Sequence, residues 1–268
     1  MDGFTRTGLT LVAALAMSAP VTGSFALLGG TPKVTAQMAV RQNGGKTSLD
    51  VYELQSGSNT PVVKYDSDMT KLMHMIVISD DFSTFMHVHP AFNAKTGHFT
   101  IALPLDPTRE YIVYTDTDPA GAGQQVFRFL LPAQRTAPVS VPAGQPTNNP
   151  IAATTPSPAI MTAGPYKVAM RTTFLANAMQ MLPLSIQRNG KPATDLQPYL
   201  GAAAHAVFIN TSDLSYVHVH PMVHGKMGIA GPNMTVHVPP LPVGTYRLWL
   251  QFEGGSKLYT VPLTIAVR

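Results

Sequence analysis

The sequence predicts an all-β chain of two tandem sandwich domains, and three observations predict it. Only 12% of the residues are charged while Pro (24) and Gly (21) are plentiful, a profile that suits short strands joined by many turns. Short runs rich in β-branched residues recur between turn signals at intervals of roughly 8–12 residues, the spacing of an immunoglobulin-sized sandwich. One pattern is also written twice. His74 stands thirteen residues before His87-Val88-His89-Pro90, and His205 stands thirteen before His218-Val219-His220-Pro221. Laid over each other without a gap, residues 61–90 and 192–221 share seven identities, and three of those are the histidines.

Taken in order, residues 1–26 read as a secretory signal peptide. Arg6 supplies the positive charge, Gly8 to Met17 is a short apolar run, and Ser24-Phe25-Ala26 offers small residues for cleavage after Ala26. The run is shorter than the roughly 20 residues of a spanning helix. The expectation is a periplasmic or secreted protein with no membrane span after cleavage. With no cysteine, disulfides, thiolate ligands and a cysteine nucleophile are excluded. The net charge of +4 is spread along the chain with no basic run among aromatics, so nucleic acid is not an expected partner.

Residues 33–131 form the first predicted sandwich, with strands at 33–40, 47–55, 72–79, 84–89, 98–103, 110–116 and 124–131. Asn43-Gly44-Gly45 turns the first pair, Asp80-Asp81-Phe82-Ser83 turns the third, and Pro90 ends the fourth because proline has no ladder donor. Residues 132–164 carry seven scattered prolines without a hydrophobic period and read as a linker. Fully extended it would reach on the order of 100 Å, so it leaves the placement of the two domains open. Residues 165–268 repeat the pattern, with strands at 166–174, 182–188, 203–210, 215–220, 233–238, 245–252 and 257–267 and an Asn189-Gly190 turn. Tyr246 matches Tyr111 once four residues are allowed for, each like the tyrosine corner of immunoglobulin-like sandwiches. The whole fits a tandem duplication.

Side chains at i and i+2 of a strand share a face, so His87 and His89 project together, as do His218 and His220. A hairpin with a four-residue loop would place His74 opposite His87 and His205 opposite His218. Three imidazoles on one face suit copper or zinc, and ring nitrogens within about 4 Å of one another would support a site, given metal–nitrogen bonds of roughly 2 Å. The expected metal ligands are therefore His74, His87 and His89 for one ion and His205, His218 and His220 for another, copper before zinc. Alternation puts Met73, Met75 and Met86 on the opposite face, in the core. Met222, His224 and Met227 follow the second triad and are candidate accessory ligands. His98 and His237 do not match between repeats. No acid near one triad recurs near the other, so the expectation is a non-enzymatic protein. Its partners would be the metal ion and, second, another exported protein. The competing reading is a structural or interaction module whose histidines hold a hairpin, with a bicupin-like metalloenzyme third; cupins add a Glu soon after the pair, which neither repeat has.

Each half also resembles a poorly characterised family of exported bacterial domains. The features are a Gly/Ala-rich approach to a His, then Asp, an aromatic and His-x-His-Pro, then Gly-x-Tyr and a later Phe. Gly201-Ala202-Ala203-Ala204-His205, Asp213 to Pro221 and Gly244 to Phe252 carry it best. The resemblance implies immunoglobulin/cupredoxin-like sandwiches, some of them in proteins concerned with copper or other heavy metals, and no established activity. The first half departs from it at Lys71–Met73 and at Arg109, which puts the integrity of its site in doubt.

Overall fold

In the computed structural model, which describes residues 18–43, 45–133 and 155–268, every regular element is a β-strand. The architecture is two sandwiches, as the turn spacing and composition predict. In the first, an outer sheet runs in the order Val21–Thr22, Val34–Asn43, Lys46–Gln55, His98–Leu103, Ala91–Asn93. Its inner sheet runs Ser24–Phe25, Gln125–Leu131, Tyr111–Pro119, Met73–Ser79, Phe85–Val88. The second repeats this, with an inner sheet of Thr173–Phe174, Lys257–Val267, Gly244–Gly254, His205–Asn210 and Tyr216–Val219. Between the sheets of each sandwich alternate side chains interdigitate: Met38, Val51, Met75, Val77 and Phe99 in the first core, Val168, Leu184, Phe208, Val236 and Leu250 in the second. Both predicted corner tyrosines reach back to the chain before them: Tyr246 Oη donates to Pro242 O at 3.1 Å, and Tyr111 Oη accepts from Asp106 N at 3.1 Å.

The inner sheets have a second buried face. Ile76, Ile78, Phe82, Ile112, Tyr114 and Val126 of the first sandwich pack against Val207, Ile209, Leu214, Tyr216 and Trp249 of the second, forming a third core. The molecule is thus a four-layer stack, outer–inner–inner–outer. This explains why Met73–Ser79 and His205–Asn210 are buried at every position, since a strand covered on both faces reads as a continuous apolar run. The placement of the domains, open in the sequence, is fixed by this face-to-face packing.

Two expected domain bounds meet strands the sequence did not predict, and two strand-level expectations are corrected. Residues 1–17 and 134–154 lie outside the described residues, but Ser18–Ala26, read above as the end of the leader, is built into the first sandwich. Val21 pairs with Met38 and Phe25 with Phe127, and Ala26 is buried in the third core. The stretch read as the end of the linker is likewise folded: Ile160–Ala163 pairs with Tyr166–Met170, so the second sandwich begins before residue 165. The predicted strand 166–174 is two, broken at Arg171-Thr172, because Phe174 crosses to the inner sheet beside Val267. The hairpin loops are longer than four residues: Ile78 pairs with Phe85, and Ile209 with Tyr216. The Asn189-Gly190 turn is as expected, both residues taking the positive φ that a two-residue hairpin turn demands (52° and 75°).

Candidate metal centre

The longer loops shift each hairpin by two residues, which leaves the parity of the side chains intact. Met75 pairs with Val88 and Ile76 with His87, so the register carries His74 toward His89 rather than His87. Ala206 pairs with Val219, carrying His205 toward His220. An even shift keeps each histidine on its face. Loop closure has a local cause. Phe82 and Leu214 sit in the left-handed region (φ 58° and 60°), where a bulky residue is strained, and both are held there by burial in the third core. Asp81 Oδ1 and Asp213 Oδ1 cap the turns by accepting from Ser83 N (3.0 Å) and Ser215 N (2.8 Å).

In the first half, His74 Nδ1 stands 2.9 Å from His87 Nε2 and 3.2 Å from His89 Nε2. The departures at Lys71–Met73 have not opened this triad, which is the tighter of the two. In the second half, His205 Nδ1 stands 3.2 Å from His218 Nε2, and the His220 ring lies 4.7 Å from that of His205 and 4.5 Å from that of His218. Of the expected one site per domain, His74, His87 and His89 form a ligand set within the first domain, while the second triad's histidines join sets with residues of the first, because both triads face the same domain boundary. The rings of His74 and His218 are 5.2 Å apart, as are those of His87 and His205. Three sets of side chains bring ligand atoms within 4.8 Å of one another: His74, His87 and His89; His87, His205 and His218; Asp68, His218 and His220. Two of the three sets mix residues from both sandwiches.

The other ring nitrogens are tied down in a matched way. His74 Nε2 lies 3.2 Å from Asp68 O, and His205 Nε2 lies 3.0 Å from Tyr199 O. Both carbonyls belong to tight turns, Asp68–Lys71 and Tyr199–Ala202, closed by reciprocal backbone bonds. The two turns touch. A Cβ on Gly201 would stand 2.7 Å from Met69 O, so the small residues before His205 let the loops meet. His87 Nδ1 lies 2.8 Å from Gln251 Oε1, and His218 Nδ1 lies 3.3 Å from Asp116 Oδ2. Gln251 and Asp116 are equivalent positions, each paired in the ladder with the first histidine of its own domain (His205 and His74). Each domain therefore supplies an acceptor that orients the other domain's histidine. Such outer contacts fix the tautomer of a ligating imidazole.

Burial keeps the cluster neutral. It pushes His87 down to about 2, aided by His205 and His74, and His89 to about 3, aided by His74. It also lowers His205 to about 3 and His220 to about 4, with His220 and His74 respectively adding to the effect. His74 is lowered and His218 lies well below the usual imidazole range, burial being the first cause for both. Neutral rings offer lone pairs at neutral pH. Asp116 is pushed up to about 7 by burial, against hydrogen bonds from Gln124 and Tyr216.

The accessory candidates stand apart. His224 is exposed in a turn and joins no set of His and carboxylate ligands among the described residues; Met222 is half-buried and Met227 is exposed. His98 pairs with Asp50 at 2.7 Å on the first outer sheet, and His237 lies opposite Met181 on the second. Met73 and Met75 face the first core, as alternation predicts. A cleft of about 440 Å³ lined by Gln124, Met179, Val217 and His237 runs beside His218, whose side chain is fully buried beneath it. Sequence reasoning missed Asp68, Asp116 and Gln251. The nearest signal was the apolar character of both faces of Met73–Ser79, which requires a partner on the histidine side.

The sequence profile described as "Domain of unknown function (DUF8832)" matches residues 30–134 and 161–268, so the chain belongs to that family and carries its domain twice. No curated protein matches the chain. Among solved structures, it is similar to the FN1–FN3 domains of chicken CNTN1, at 10% identity over 92% of this chain and 98% of that one, with a TM-score of 0.20.

Proposed function

We propose that this chain, two copies of a domain without an assigned activity, is an exported, non-enzymatic protein that binds copper or zinc at the histidine cluster between its sandwiches. The ligands are His74, His87 and His89 from the first domain and His205, His218 and His220 from the second. One observation carries the reading. Where Asp68 O and Gln251 Oε1 accept the protons of His74 and His87, the remaining nitrogens of those rings face each other at 2.9 Å with bare lone pairs. His205 and His218 do the same at 3.2 Å. Facing lone pairs repel unless a cation lies between them. Tetrahedral ligands with bonds of roughly 2.0 Å stand about 3.3 Å apart, close to these spacings. Neutral imidazoles suit copper and zinc alike.

The second reading is a metal-free interaction module. Its specific support is that Gln251, with its amide turned about, would donate to His87 and free His87 Nε2–H to donate to His74. Titration of the purified full chain with Cu²⁺ and Zn²⁺ by calorimetry, with metal content checked by mass spectrometry, separates the two. The metal reading expects stoichiometric binding that is lost when both triads are changed to alanine. Absence of binding, or binding indifferent to the triads, removes it. Export is tested by fractionating the cells that make the full-length chain.

A further inference from the structure

We propose that Asp68 reaches across the domain boundary as a ligand in the second half of the cluster, making that half an anionic site for a divalent ion while the first half stays neutral; this rests on the metal reading above. Asp68, His218 and His220 bring their ligand atoms within 4.8 Å of one another. His220 Nε2 has no hydrogen-bond partner although its side chain is only 10% exposed, and Asp68 Oδ2 stands 3.9 Å from it. The Asp68 carboxylate is not spent on closing its turn, which backbone groups hold: Asp68 N to Lys71 O and Lys71 N to Asp68 O. Its one other neighbour among the histidines is His74 Nε2, at 3.7 Å. The equivalent residue in the second domain is Tyr199, which turns its ring edge-on to His205 and offers no carboxylate.

The consequence is chemical inequality. Three imidazoles leave the full double charge of a divalent ion uncompensated in a buried place, whereas one carboxylate halves it. Asp116 stands on His218, and Asp68 Oδ2 lies between the halves, 3.9 Å from His220 Nε2 and 3.7 Å from His74 Nε2. The His74 nitrogen is already held by Asp68 O, so the nitrogen left open to share an ion with the carboxylate is that of His220, while His87 meets only the amide of Gln251. Zn²⁺ should therefore fill the second half first. Cu(I), a soft monovalent ion, is at home among neutral ligands and needs no carboxylate.

The test is titration of the full chain with Zn²⁺ and, under anaerobic conditions, with Cu(I), for the wild type, Asp68→Asn, His220→Ala and His89→Ala, with folding checked by circular dichroism. The wild type should take up Zn²⁺ in two unequal steps. Asp68→Asn should weaken the tighter step at least about ten-fold and leave the tightest Cu(I) step within about three-fold. His220→Ala should abolish the tighter Zn²⁺ step and His89→Ala the weaker one. Equal loss of Zn²⁺ and Cu(I) in Asp68→Asn, or a tighter step indifferent to Asp68 and His220, overturns the inference while leaving the metal reading standing. A wild type that binds neither ion overturns both.

Discussion

The two halves of the histidine cluster agree in where their imidazoles stand and differ in what stands behind them. Phe85 stacks on Trp249 at 4.8 Å, and the matching pair, Tyr216 on Tyr114, stacks at 5.2 Å. Phe82 adds a second ring to the Trp249 side, while Leu214 O accepts from Tyr114 Oη on the other. Gln251 in one half corresponds to Asp116 in the other, and Tyr199 to Asp68. The aromatic frame is matched while the polar groups are not. Packing demands shape at both places, whereas a polar group can differ from one side to the other without disturbing that shape.

The largest test of the matched frame is Trp249→Ala beside Tyr114→Ala. Each removes one aromatic platform from the third core and should destabilise the protein by about 3–5 kcal/mol, read from urea unfolding at constant slope. If the correspondence holds energetically, the two losses agree within about 1 kcal/mol; a near-silent Tyr114→Ala would show that one side carries the interface.

A second contrast lies deeper in the cores. Glu53 is fully buried in the first sandwich, where its Oε1 accepts from Thr117 Oγ1 at 2.7 Å, and burial pushes it up to about 7. Among the described residues the second sandwich has no buried carboxyl. A folded-state value above the unfolded one means the folded protein holds more protons, so this contribution is full below about 4.5 and lost as pH rises toward 7. Glu53→Gln should flatten that slope and raise stability at pH 8 by roughly 2–3 kcal/mol. Chemical unfolding across pH decides it; an unchanged slope sinks it.

The histidines act with the opposite sign. Their folded values are depressed, so the unfolded chain binds protons first, and stability present above about 6.5 is lost as pH falls below it. The metal-free protein should loosen at the third core in acid, seen as domain separation in small-angle scattering between pH 6.5 and 4. A compact particle throughout that range would contradict it.

A smaller effect falls on the unmatched hydroxyl. Tyr216→Phe makes that pair like Phe85–Trp249 and removes the 3.1 Å donation to Asp116. It should weaken the protein by about 1–2 kcal/mol, and a change below about 0.5 kcal/mol would mean that Gln124 and His218 satisfy the carboxylate without it. The smallest change concerns the N-terminus. Cleavage after Ala26 would strip the Val21–Thr22 and Ser24–Phe25 strands, so intact-mass measurement of the chain recovered from the cells that make it should find a first residue before Val21. A mature chain beginning at Leu27 would refute this.

The strands, the repeat and the facing of each triad were legible because alternation has a period of two that no even shift of register disturbs. The register itself was not, because loop length depends on Phe82 and Leu214 adopting strained angles, and they do so only where the opposite domain buries them. That same domain contact hid the cluster. Asp116 lies 42 residues beyond His74 and meets His218 only after both sandwiches have formed. Asp68 falls between the predicted strands 47–55 and 72–79, where no periodicity marks it. What could be read was the burial of Ile76 and Ile78 beside His74, a face too apolar for solvent.

The four-layer stack has a consequence for how its sides can differ. Two identical subunits meeting about a two-fold axis repeat every substitution, so an acid at the Tyr199 position would come with an acid at the Asp68 position. Here both halves of a nearly two-fold interface are written in one chain, and each can vary without its counterpart. Symmetry broken in this way lets a centre hold two unlike ligand sets in one buried space, an arrangement that a homodimer with the same fold could not encode.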